Sequence, residues 1–122
     1  MKRVLDVGQC GFDHAAISHL VRRQFQADVA QALDLEDALL QLRAGSFDLV
    51  LVNRKLDADA SDGLEVIRQI KADPQLASIP VMLVSNYPEY HEQAVAAGAE
   101  MGFGKAELAA ESTRKRLEKF LR

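Results

Sequence analysis

The segment Phe47-Asp48-Leu49-Val50-Leu51-Val52-Asn53 constrains the fold more than any other part of the chain. It is a nearly continuous apolar run, which suits a strand buried on both faces. Such a strand belongs to a parallel sheet covered by helices, where ligands and chemistry gather just beyond the carboxyl ends of the strands. Asn53 closes the run at that end. It stands where a working residue is expected, and it is an amide, not a carboxylate.

Around this run, short apolar strands alternate with amphipathic helical segments. Val4–Val7 reads as a first strand, ending at the polar turn Gly8-Gln9-Cys10-Gly11. The following helix is expected to be capped by Asp13 and to bury Ile17, Leu20 and Val21. A weaker strand at residues 27–30 precedes a helix with Asp34 and Asp37 in a capping arrangement and Leu35, Ala38, Leu39 and Leu42 inward, closed by Gly45. Residues 48–53 form the third strand. A polar loop from Arg54 to Asp62 leads through Gly63 to a helix burying Leu64, Ile67 and Ile70, which Asp73-Pro74 ends. Residues 79–85 form the fourth strand, with proline tolerated near its start. Pro88 opens the next helix, which stops near Gly98; Met101 to Gly104 is a short fifth strand, and the last helix carries Leu117, Phe120 and Leu121 on one side. Five strand–helix units with short links predict right-handed crossovers and a three-layer α/β fold: a parallel five-stranded sheet with helices on both faces.

Composition excludes several function classes. With 122 residues the chain is expected to form a single domain over residues 1–122. A net charge of -3 argues against a general nucleic-acid binder, and no apolar run approaches the roughly 20 residues that span a bilayer. Met1-Lys2-Arg3-Val4 runs into a strand without a secretory pattern, and the single cysteine, Cys10, allows no intrachain disulfide. A cytoplasmic setting is the expectation.

The ordered set Arg3–Val7, Phe47–Val52, Asp62-Gly63-Leu64-Glu65-Val66-Ile67, Ile79–Ser85 and Ala97-Gly98-Ala99 followed by Lys105 resembles the receiver domain of bacterial response regulators (CheY-like) over essentially the full chain. The resemblance implies a flavodoxin-like sheet of order 2-1-3-4-5 and a role in two-component, phosphorelay-type signal transduction. In that family a strand-three aspartate accepts a phosphoryl group and two acidic residues after strand one help bind Mg²⁺. A Ser or Thr after strand four and a Lys after strand five contact the phosphate. Here the acidic pair maps to Gly8 and Gln9, the acceptor to Asn53, and the aromatic switch position on strand five to Gly102, with Phe103 one residue later. Ser85 and Lys105 match. Ala106 replaces the family's proline after that lysine, and the loop after Asn53 is about two residues longer than usual, with Asp57 where the family has a proline.

Gly8 and Gln9 offer no anionic oxygen to a hard cation, and an amide lacks the nucleophile for an acyl phosphate. The resemblance is therefore to a pseudo-receiver: non-enzymatic, without Mg²⁺ or other cofactor, acting through signalling-protein contacts. The surface of helix four, strand five and helix five is the candidate face for a partner or a second copy. Two alternatives are a receiver phosphorylated on a displaced aspartate, Asp57 or Asp59, and a small-anion or cofactor sensor using Ser85 and Lys105.

Other residues carry weaker signals. Asp57-Ala58-Asp59-Ala60-Ser61 opens like a calcium loop, but Asp62 and Arg68 stand where Gly and Glu are needed, so a solvated acidic loop is expected. His91-Glu92 lacks the second histidine of a zinc motif, and His14, His19 and His91 are expected to be solvated or capping. Cys10, without a resolving cysteine, reads as a small packing residue. Tyr87 and Tyr90 follow strand four where a planar ligand would stack, but Gly8-Gln9-Cys10-Gly11 is not a hydroxyl- and glycine-rich phosphate cradle, which disfavours flavin or nucleotide binding. Asp6, a carboxylate within a buried strand, requires a partner. A neighbouring hydroxyl, backbone donor or water is one expectation; an ion pair with Lys105 is the other.

Overall fold

A computed structural model describes all residues from Met1 to Arg122. Five strands, β1 (Arg3–Val7), β2 (Asp28–Ala32), β3 (Leu49–Asn53), β4 (Val81–Val84) and β5 (Glu100–Phe103), form one parallel sheet of order β2-β1-β3-β4-β5. The connecting helices are α1 (Gly11–Phe25), α2 (Leu35–Ala44), α3 (Gly63–Ala72) and α4 (Pro88–Ala96), and α5 (Glu111–Leu121) follows β5. The expected order is present, with strand boundaries displaced by one or two residues.

Alternation along the strands divides the core into two layers. Leu5, Val7, Val50 and Val52 face α2, α3 and α4, packing on Leu42, Leu64, Ile67 and Ala94. Val4, Leu49 and Leu51 face α1 and α5, packing on Ile17, Val21, Leu117 and Leu121. By the same period Asp6 projects toward the α1–α5 layer, which brings it to helix α1.

The start of α1 corrects one expectation. Cys10, not Asp13, is the N-cap: its backbone is extended and its Sγ accepts from the Asp13 N–H at 3.4 Å. Asp13 lies inside the first turn, and its carboxylate is free to act elsewhere. Asp34 caps α2 as expected, accepting from the Asp37 N–H at 2.8 Å, and Asp62 caps α3 through the Leu64 N–H at 2.9 Å. In β5 the ladder slips, since Met82 pairs with Glu100 but Val84 with Phe103. Two steps on β4 oppose three on β5, which is a bulge at Met101-Gly102.

Candidate functional site at the carboxyl ends of the strands

Asn53 is the last residue of β3, and both N–H groups of its amide are engaged within the fold. Nδ2 donates to the Gly8 carbonyl at 3.1 Å and to the Lys55 carbonyl at 2.7 Å. These bonds tie the β1–α1 turn to the β3–α3 loop. Gly8 has a φ of +77°, in the left-handed region that glycine tolerates, and a Cβ there would lie 2.3 Å from Leu56 Cδ2. Leu56, only 1% exposed, packs against Gly8, and the Asp57 N–H donates to the Gly8 carbonyl at 2.9 Å.

The loop predicted as polar throughout thus has an apolar anchor. Its outer part is as expected: Asp57 and Asp59 are exposed. Asp59 accepts from both the N–H and the hydroxyl of Ser61, at 3.0 and 2.6 Å, and this hydrogen bonding holds its carboxyl below its usual range.

A cleft of about 450 Å³ brings Asn53, Ser85 and Lys105 together, with Arg54, Lys55, Tyr87 and Tyr90 among its walls. Gly8 reaches this group through its carbonyl. Gln9 does not join it: its side chain is 2% exposed, and neither amide atom has a partner. Gly102 lies away from it, on a second cleft of about 240 Å³ with Pro88, His91, Met101, Phe103 and Arg116. The bulge presses Gly102 against β4, where a Cβ would sit 2.0 Å from the Leu83 carbonyl oxygen. Phe103 turns inward to the α1–α5 core.

The charged groups beneath the cleft are paired differently from either expectation. Lys105 Nζ binds the Asp13 carboxylate at 2.8 Å, and that bond holds the Asp13 carboxyl below its ordinary range. Asp6, with no exposed surface, takes His14 as its partner, Nδ1 to Oδ2 at 2.7 Å. No hydroxyl, backbone donor or Lys105 bond serves it. Burial pushes the Asp6 carboxyl up to about 6, while the His14 hydrogen bond and charge pull the other way.

The histidine expectations need correction at two of three positions. His14 is a partly buried partner of Asp6, and buried His91 contacts the Ser85 carbonyl through Nε2 at 2.6 Å. His19 is exposed. No three His, Cys, Asp or Glu side chains converge at metal-binding distance.

Tyr87 and Tyr90 meet edge to face with centroids 6.1 Å apart, and the Arg54 guanidinium lies 4.1 Å over the Tyr90 ring. Sequence reasoning missed His14, Leu56, Asp13 and Arg54 as shapers of this region. The signals were slight: one leucine inside a polar loop, and a histidine near the start of the helix that follows the strand bearing Asp6.

Comparison with known proteins places this geometry in a family. A family model described as "Response regulator receiver domain" matches residues 13–116. The gliding motility regulatory protein of Myxococcus xanthus is 32% identical over 85 residues, covering 68% of this chain and 11% of that protein. The chain therefore spans about a tenth of the length of that relative.

Among solved structures, the signal receiver domain of a DNA binding response regulator from Colwellia psychrerythraea superposes with a TM-score of 0.80 at 23% identity, covering 98% of this chain and 99% of that one. The Vibrio cholerae chemotaxis protein CheY4 superposes at 0.77 with 21% identity, over 99% of both chains. These likenesses share the sheet order 2-1-3-4-5 and the helices on both of its faces. With the family match across most of its length, the chain belongs to the response regulator receiver domains, the signalling modules of two-component systems.

Proposed function

We propose that this receiver domain signals without accepting a phosphoryl group at the end of β3, acting as a binding module for a signalling protein. The observation that carries this reading is the state of Asn53. An acyl phosphate requires a carboxylate nucleophile, whereas both N–H bonds of this amide are spent on the Gly8 and Lys55 carbonyls.

The surroundings support the same reading. Mg²⁺ demands oxygen ligands in near-octahedral array, usually with one or two carboxylates. Gly8 brings none, Leu56 fills the space its side chain would use, and the Gln9 amide is buried in the interior. The residues do not fit the ion. Lys105 is neutralised by Asp13, a carboxylate internal to the fold. Gly102 carries no side chain at the switch position of β5, and the strand's aromatic, Phe103, is buried in the α1–α5 core.

Contact with a partner is assigned to the α4–β5–α5 face. Val95 on α4 and Met101 on β5 are exposed apolar side chains there, and Met101 and Arg116 line the 240 Å³ cleft. The same face would serve a second copy.

The test is incubation with Mg²⁺ and acetyl phosphate, followed by intact-mass measurement. The expected mass is unchanged for the wild type and for Asn53→Asp, because the metal seat is missing too. An added phosphate mapped to Asp57 or Asp59 identifies a displaced acceptor and overturns the proposal. Phosphorylation of Asn53→Asp alone overturns the account of the cation seat.

A further inference from the structure

We infer that the 450 Å³ cleft beside Asn53 binds a planar aromatic ring bearing an anionic group, such as an aryl carboxylate or a mononucleotide. This goes beyond the proposed mode of signalling and does not depend on it.

The walls are cationic and aromatic. Three of the lining residues are Arg54, Lys55 and Lys105, and none is acidic, in a protein whose net charge is -3. Asn53 matters here through its neutrality, since a carboxylate at that position would face an incoming anion. Lys105 is held by Asp13, so the uncompensated charge is that of Lys55, which is exposed and makes no ion pair. Arg54 is divided between Asp62 at 3.4 Å and the Tyr90 face.

Neutral donors stand beside these cations. Ser85 Oγ accepts from the Tyr87 N–H at 3.2 Å, which leaves its hydroxyl proton to donate. Asn86 Oδ1 accepts from the Ala106 N–H at 3.0 Å, which fixes the amide and leaves Nδ2 as a donor without a protein acceptor.

The aromatic part has an equally specific seat. Tyr87 is 60% exposed at the cleft, while one face of Tyr90 is covered by the Arg54 guanidinium. An exposed ring set edge-on to a fixed one offers an open face for stacking. The cleft volume lies within the range of small-molecule sites, roughly 300 to 1,000 Å³. Ring and charge together select the ligand: phosphate alone forgoes the tyrosine face, and a neutral arene forgoes Lys55.

The chain has two tyrosines and no tryptophan, and both tyrosines line this cleft, so intrinsic fluorescence reports on it directly. The protein is titrated with benzoate, adenosine monophosphate, benzamide and inorganic phosphate, with amide NMR shifts as a second readout. Benzoate or the nucleotide should quench tyrosine emission saturably and move the Lys55, Ser85 and Tyr87 amides, binding about tenfold more tightly than benzamide or phosphate.

Lys55→Ala and Tyr87→Ala, both at exposed positions, should each weaken binding about fivefold or more by NMR without moving the thermal midpoint. Equal binding of phosphate alone, or of benzamide, overturns the inference. So does the absence of saturable binding by both aromatic anions, or unchanged affinity in both variants.

Discussion

Asp6 is the residue whose environment most departs from what its type prefers. A carboxylate with no exposed surface in a central strand is kept by one close partner, His14, while its Oδ1 has none. Burial raises its folded pKa to about 6 from the ordinary 3.8, so the folded state holds that proton more tightly than the unfolded chain. The resulting stability is fully present below the unfolded value and is lost as pH rises through about 6. The gap corresponds to roughly 3 kcal/mol between the acid limit and neutral pH. Asp6→Asn removes this dependence. Denaturant unfolding of both proteins between about pH 7 and pH 4 should show the wild type gaining on the variant by about 2–3 kcal/mol as pH falls. Parallel curves would show that Asp6 does not titrate in that window. The sequence marked Asp6 as needing a partner but not which one. The choice depends on how α1 sets down on β1, a tertiary fact that residue types do not carry.

At the scale of elements, the helices and strands were legible because their apolar residues repeat at the two periods the layers require. Val50 and Val52 against Leu49 and Leu51 already divide into the two core faces. What escaped reading was local chemistry at element ends. Cys10 caps α1 with sulfur, a weak acceptor absent from the usual capping set, so Asp13 drew the assignment instead. The β5 bulge was hidden for a related reason, since a glycine in a strand signals irregularity without fixing its place. Its consequence is measurable. Gly102→Ala drives a Cβ into the Leu83 carbonyl and should destabilise the fold by about 2 kcal/mol or more, read as a lower urea midpoint. Gly11→Ala, with open space around its Cβ in the first turn of α1, should be neutral or slightly stabilising. Similar losses at both positions would contradict the bulge geometry.

For the whole molecule, the site and the fold were not equally legible. The receiver architecture could be read from strand order and spacing, and the substitutions at Gly8, Gln9, Asn53 and Gly102 were visible one by one. Their joint arrangement was not. The Leu56–Gly8 contact, the Lys105–Asp13 pair and the Arg54–Tyr90 stack each join elements distant in sequence. Together they leave the carboxyl edge of the sheet closed toward β1 and open toward β4. A ligand that binds only the folded state raises its stability in proportion to occupancy. Mg²⁺ should therefore leave the thermal midpoint where it is, compared with a Na⁺ control of equal ionic strength. A rise of more than about 2 °C specific to the divalent ion would show a cation seat in this fold.

The contact between Leu56 and Gly8 also limits the routes by which this sequence can change. An acidic residue at position 8 meets Leu56 within 2.3 Å and inherits a left-handed backbone. Shrinking Leu56 first removes a side chain that packs with Leu5, Val7 and Leu64 in the larger core layer, and opens a void there. Either single step passes through a weakened protein, and neither alone supplies a carboxylate at position 53. A path from this chain to a phosphate-accepting one therefore needs at least two coordinated changes, a carboxylate at position 53 and an acidic residue accommodated beside Leu56 on the left-handed backbone of position 8, so the lost chemistry does not return by any single step.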